Sequence, residues 1–275
     1  MIFVFIVLFF DFSFTSKIHL NTNNKMLVHY IDVGQGDSML IQVNNKNLLI
    51  DAGPNNNKEN LLSYLDTLAL PKLDYIIATH PHEDHIGNMY SIINKYKLGR
   101  FYAPKVEHTT SDFEKMVEAL ITKNLKINVI KAGIDTIDLG DGTKVTILSP
   151  FNAEYSNLND YSPMIKIEYG DTSFLFTGDA EKEIEKELLT KNSNIKADVL
   201  KVGHHGSSTS TSAAFFKAVN PDIAVISLGV DNKYGHPHPQ TTNLLNSNNT
   251  VVYRTDIDGT IVLSSDGNEI SKISN

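Results

Sequence analysis

Thr79-His80-Pro81-His82-Glu83-Asp84-His85 is the stretch on which the fold and the chemistry turn. It follows Tyr75-Ile76-Ile77-Ala78, an apolar run that reads as a buried strand. Three imidazoles and two carboxylates therefore stand where that strand ends. Histidine is the commonest metal-binding side chain, and carboxylate is its usual companion. A solvated polar loop would account for one such histidine, but not for His-x-His-x-Asp-His after a strand. On a tight loop, His80 and His82 can converge on one metal. Asp84 and His85, at the start of the next helix, can face a second. Two metals about 3.5–4 Å apart activate a shared water and so supply a nucleophile without Ser or Cys.

Working outward, the first half reads as strands at 27–33, 38–43 and 47–52 around a helix at 58–70, then the strand at 75–79. A helix at 88–96, a strand at 100–103, a helix at 112–123 with Ser111 as N-cap, and strands at 127–131 and 143–149 follow. The second half repeats this plan. It has a hairpin, 162–169 with 172–177, a charged helix at 181–191, and a strand at 198–202. A helix at 211–219, a strand at 223–228, a helix at 240–246 and closing strands at 251–255 and 260–264 complete it. Two such halves would bury a sheet-on-sheet core with helices outside, in one α+β domain over 26–275.

The second half carries its own polar strand ends. Asp179 follows Gly178 between a strand and a helix, as helix N-cap or as metal ligand. A hairpin turning at 170–171 sets residues near 162 opposite 179, so Asn159, Asp160 and Ser162 are expected beside Asp179, with Asn159 or Asp160 a candidate ligand or a solvated loop. In Gly203-His204-His205-Gly206-Ser207, His204 comes first after the strand and is taken as the ligand. His205 and Ser207 are assigned to an anionic substrate group. In Tyr234-Gly235-His236-Pro237-His238-Pro239, His236 is the general acid or phosphate donor, His238 is expected to be exposed, and Tyr234 is a substrate contact. Asp51 ends a strand and is read as orienting a metal-binding histidine or capping a turn. Gln35 and Asp37, in the glycine-rich 31–38 stretch, are read as a wall of the site or as part of an ordinary turn.

Composition narrows the chemistry. The chain has 275 residues, 41% of them hydrophobic, which is ample for a large core. It has no cysteine, so any metal is held by nitrogen and oxygen, which suits Zn, Mn or Fe. A net charge of −8 gives no broad basic surface for nucleic acid. Seven of the ten histidines lie in three clusters, at 80–85, 204–205 and 236–238. Residues 1–10 are almost wholly apolar and shorter than the about 20 residues of a membrane span. With the polar tether at 11–25 they read as an export leader or membrane anchor, and otherwise as a buried strand. The leader reading puts the protein outside the cell or at its surface; the strand reading keeps it in the cytoplasm.

These residues together resemble the metallo-β-lactamase superfamily. The match lies in His80-x-His82-x-Asp84-His85, the strand-ending Asp51, Gly178-Asp179 and the later His204. Within it, the chain is similar to the hydrolase domain of ComEC/Rec2 competence proteins. That similarity is carried by 32–38, 79–88, 174–181, 198–207 and 234–237. The resemblance implies an αββα four-layer sandwich and two divalent metals, usually zinc. It implies His80, His82, Asp84, His85 and His204 as ligands and Asp179 as the bridge. The superfamily often has a further histidine between the two halves; here Asn159-Asp160 stands in its place. The resemblance also departs: the membrane channel and the nucleic-acid-binding part of the competence proteins have no counterpart in this sequence.

The activity expected is hydrolysis of a phosphodiester, in a small molecule or a nucleic acid. The alternative is a surface hydrolase of a carboxylic ester, lactone, amide or choline-phosphate group. A non-catalytic or redox protein on the same scaffold is the third reading, against which the intact ligand set argues.

Overall fold

The computed structural model describes residues 24–273, so the apolar leader expected at 1–10 lies outside the described residues. In chain order the first part gives β1 (Met26–Tyr30), β2 (Met39–Val43), β3 (Lys46–Ile50), α1 (Lys58–Thr67), β4 (Leu73–Ile77), α2 (Glu83–Ile86), α3 (Met89–Lys95), β5 (Leu98–Ala103), α4 (Ser111–Thr122) and β6 (Ile127–Val129). The second gives β7 (Thr143–Ile147), β8 (Ile165–Tyr169), β9 (Thr172–Phe176), α5 (Lys182–Thr190), β10 (Val199–Lys201), α6 (Ala213–Val219), β11 (Ile223–Ile226), α7 (Pro239–Ser247), β12 (Val251–Arg254), α8 (Thr255–Asp258), β13 (Ile261–Ser265) and β14 (Ile270–Lys272).

The strands form an eight-stranded sheet, β14-β13-β1-β2-β3-β4-β5-β6, and a six-stranded sheet, β12-β11-β10-β9-β8-β7. Each joins an antiparallel part to a parallel one. β2 and β3 are a hairpin turning at Asn44-Asn45, both with positive φ, as a tight hairpin turn requires. From β3 to β6 the strands are parallel, and helices supply the crossovers.

Side-chain alternation sorts the core into three layers. Met39, Ile41, Leu48 and Ile50 meet Phe174, Phe176, Val199 and Val225 between the sheets. Leu40, Leu49 and Ile76 pack outward on Leu61, Ile92 and Leu120 of the first helical layer. Leu175, Leu200 and Ala224 pack on Leu188, Phe215 and Leu245 of the second. Helix, sheet, sheet, helix is the αββα sandwich, as expected.

Two details differ from the sequence reading. The N-cap of α4 is Thr110, and Ser111 is already helical. The closing strands part company: β12 lies in the second sheet, whereas β13 returns to the first beside β1. The halves are thus laced together. Among the described residues no helix is long and apolar enough to cross a membrane.

Candidate metal centre

The ends of β3, β4, β9, β10 and β11 all reach one edge of the sandwich, where open α/β sheets carry their sites. β3 and β4 run parallel, which sets Asp51 beside Thr79. Asp51 Oδ1 accepts from the Thr79 amide at 2.8 Å, and Oδ2 accepts from Thr79 Oγ1 at 2.7 Å. Its Oδ2 also lies 2.8 Å from Nδ1 of His85. Asp51 thus fixes the His85 ring from behind, which the sequence offered as one of two roles. Asp51 holds this place in the left-handed region, at φ 58°.

His80 and His82 flank Pro81, and their Nε2 and Nδ1 atoms face each other at 2.9 Å. Two imidazole nitrogens this close share either one proton or one cation. Behind them, His80 Nδ1 lies 3.3 Å from Ser162 Oγ of the second half. The hairpin register delivers that serine. Ile165 pairs with Phe176, and continuing the ladder sets Ser162 against Asp179, whose amide donates to Ser162 Oγ at 3.2 Å.

Asp179 is the centre of the arrangement. Its Oδ2 lies 3.2 Å from His85 Nε2, 3.5 Å from His205 Nε2, 3.7 Å from His204 Nε2 and 3.9 Å from His80 Nε2. Asp84 Oδ2 approaches His205 Nε2 at 3.3 Å. Asp84, His85, Asp179 and His205 each offer a ligand atom, all within 4.8 Å of one another. His85 Nε2, His205 Nε2 and Asp179 Oδ1 are buried without hydrogen-bond partners. Buried polar atoms in proteins are generally paired, so three orphans within one cluster, from nitrogen and oxygen donors, fit a divalent cation.

The electrostatics agree. Burial opposes charge on both partners, yet Asp179, Asp51 and Asp84 hold the His85 imidazole well above its usual range. Burial likewise opposes charge on His205, but Asp179 and Asp37 push it up to about 10. Burial would raise Asp179, and His85 and His205 bring it well below the usual carboxylate range. Imidazoles held protonated by carboxylates release those protons when a metal takes their place.

Several expected residues sit elsewhere than the sequence suggested. The two histidines after β10 exchange places. Both His204 and His205 adopt left-handed backbone, φ 46° and 53°, and this turns the second imidazole into the cluster. His205 is buried, with Nδ1 donating to the Ser227 carbonyl at 2.9 Å so that Nε2 faces inward. His204 remains at the rim, with Nδ1 3.3 Å from Glu181 Oε1. Ser207 is buried within its own loop, against Thr209, and does not line the cleft. Asp160 is engaged ahead of α5 instead, where its Oδ1 accepts the Glu181 amide at 2.9 Å. Asn159 is the one left facing the cleft: Nδ2 donates to Glu181, and Oδ1 is buried without a partner. His238 is half-buried rather than exposed, and its Nδ1 accepts the Ser208 amide at 2.9 Å.

His236 and Tyr234 line the cleft, their rings stacked at 5.6 Å. Burial and the neighbouring His205 and His204 lower the His236 imidazole to about 4. Gln35 lines it too and accepts the Gly229 amide at 3.2 Å. Asp37 is fully buried beneath the site, 2.9 Å from the ammonium of Lys201. Sequence reasoning passed over Lys201 and Glu181; a lysine inside the apolar run 199–202 was the available signal. The cleft has a volume of about 660 Å³.

Comparison with known proteins decides the family. The model of the metallo-beta-lactamase superfamily matches residues 31–230. The chain belongs to that superfamily. Metallo-beta-lactamase superfamily relatives include the ComE operon protein 3 of Bacillus subtilis, 36% identical over 85% of this chain and 32% of its own length. Recombination protein 2 of Haemophilus influenzae is 33% identical over 85% of this chain and 28% of its length. The chain thus spans about a third of the length of these curated relatives. Among solved structures, the metallo-beta-lactamase fold protein YhfI of Bacillus subtilis superposes with a TM-score of 0.57 at 15% identity, over 88% of this chain and 99% of its own. That likeness is one of fold. The clustered ligands are the candidate metal site of this superfamily member.

Proposed function

We propose that the protein hydrolyses phosphodiesters with two divalent cations, probed most simply as Zn or Mn. The observation that carries this reading is Asp179 Oδ2, one carboxylate oxygen facing four imidazoles within 3.9 Å. His80 and His82 would hold one cation, Asp84, His85 and His205 the other, and Asp179 would touch both. Bound there, the cations lower the pKa of a water towards neutrality and neutralise charge developing on the substrate.

The chain's own groups do the rest. Asp51 and the Ser227 carbonyl fix the rings of His85 and His205, so both nitrogens meet the centre without reorganisation. The cleft wall carries amide, imidazole and ammonium groups, on Gln35, Asn159, Asn232, Lys233 and His236, beside Pro54, Tyr234 and the Glu83 carboxylate. Such donors suit the oxygens of a phosphodiester better than an acyl chain. His204, held by Glu181, is the group placed to give a proton to the leaving oxygen. His236, its imidazole lowered to about 4 by burial and the neighbouring His205 and His204, would meet substrate as a neutral hydrogen-bond donor, the second of the two roles read from sequence. The relative named Recombination protein 2 bears the name of a process acting on nucleic acid, which makes single-stranded DNA the polymer to try first. Export, through the leader at 1–10, belongs to the same proposal.

The test is hydrolysis by the full chain reconstituted with Zn²⁺ or Mn²⁺. Bis(p-nitrophenyl) phosphate and single-stranded DNA should be cleaved, and a chromogenic lactam and a thioester left intact. Cleavage of the acyl substrates with the phosphodiesters untouched would overturn the proposal in favour of an acyl hydrolase.

A further inference from the structure

Two charges beneath the site take part in none of these steps. Lys201 ends β10, and its side chain is wholly buried. Its Nζ lies 2.9 Å from Asp37 Oδ2 and donates to the Val202 carbonyl at 3.0 Å. Asp37 is equally buried. Burying such a pair recovers its desolvation cost only with excellent geometry and further hydrogen bonds, and a packed apolar pair would stabilise as well, so stability alone does not account for it.

Its position supplies the use. The Asp37 amide donates to the Asp84 carbonyl at 3.1 Å, and the Asp37 carbonyl accepts from the Gly53 amide at 2.9 Å. The main chain is thereby fastened to the segment at 51–53, whose Asp51 holds the His85 ring, and to the ligand segment at 84–85. The side chain then crosses to the second half. Oδ2 reaches Lys201, and Oδ1 lies 3.5 Å from Nδ1 of His205. Lys201 stands on the strand that leads into His205, and its carbonyl accepts from Thr177 Oγ1 at 2.8 Å, just before Gly178-Asp179. One ion pair thus ties the segments that carry Asp51, Asp84 and His85 to those that carry Asp179 and His205. A metal centre shared between halves is only as precise as the joint between them. The ammonium also offsets one of four carboxylates, Asp37, Asp51, Asp84 and Asp179, gathered at the floor.

We infer that Asp37 and Lys201 are positioning residues of the metal centre, and that their ion pair sets the first-half ligands at the working distance from Asp179 and His205. This rests on the metal-centre reading, and the experiment separates the two. The full chain, stripped of metal, is titrated with Co²⁺. Visible absorption reports the ligand set, and chelator competition gives affinity and stoichiometry. Wild type should take up the ion with one defined spectrum; no uptake at all overturns the metal-centre reading and this inference with it. Asp37→Asn/Lys201→Met removes both charges together and strands neither. It should keep its far-UV circular dichroism, yet bind Co²⁺ at least tenfold more weakly, with an altered spectrum. Wild-type affinity and spectrum in that variant would show a merely structural pair and overturn the inference alone. Asp37→Glu keeps both charges and moves the carboxylate by one methylene. It carries the test if the double variant does not fold: a several-fold loss of affinity supports positioning, and wild-type affinity refutes it.

Discussion

His204 and His205 share a side chain and differ in task, and the backbone makes the difference. A non-glycine residue in the left-handed region costs about 1–3 kcal/mol, and two in succession persist only where the surroundings demand them. The result is one imidazole locked inward by Ser227 and one at the rim held by Glu181. Replacing His205 with Ala should therefore weaken metal binding by two orders of magnitude or more. His204→Ala should retain its metal and lose about 10²–10³-fold in kcat, the usual weight of a proton donor. Metal analysis beside the turnover rate separates the two, and loss of metal from His204→Ala would restore the ligand order expected from sequence. Asp51 acts one step further back, through the His85 ring. Asp51→Asn can still accept from Thr79 but no longer balances an imidazole, and about 10–100-fold weaker metal binding is expected, read by chelator competition.

At the scale of elements, the register of one hairpin was enough to put Ser162 against Asp179, because antiparallel pairing from a known turn leaves no freedom. The strand before His80 was equally legible, since an apolar run ending in ligands admits few other readings. What escaped was set by distant partners. Whether β13 follows β12 or returns to β1 depends on which sheet edge is open, a property of the assembled fold. Asp160 and Asn159 were both placed near the site, but their division of labour depends on where α5 begins. Lys201 was passed over because its partner lies 164 positions away, at Asp37. The loop that carries Asp37 is itself close-fitted. A Cβ on Gly36 would come within 2.3 Å of the Asp84 carbonyl oxygen, a backbone atom that cannot swing aside. Gly36→Ala should cost about 1–3 kcal/mol, as overpacking does, and should displace the loop from α2. Urea denaturation and metal affinity should fall together; a stable variant with intact metal binding would show that the loop can shift without consequence.

The molecule as a whole is acidic, and it concentrates buried opposite charges at one edge. This gives its stability a different pH dependence with and without metal. In protein stripped of metal, His85 and His205 carry folded-state pKa values above the unfolded value of 6.5, His205 at about 10. A raised pKa means that the folded state binds the proton more tightly. That stabilisation is fully present below pH 6.5 and is lost as pH rises through about 10. The stripped protein should therefore melt at progressively lower temperature across that window. Bound metal displaces the same protons, so its affinity should rise over the same range and its binding should release protons at neutral pH. The gap in melting temperature between loaded and stripped protein should thus widen from pH 6.5 upward, within the range where the metal itself stays soluble. Calorimetry in buffers of different ionisation enthalpy counts the protons released. A gap that stays constant with pH, together with no proton release, would mean that the imidazoles facing Asp179 are neutral before the metal arrives. The buried carboxylates would then be balanced by Lys201 and by hydrogen bonds alone.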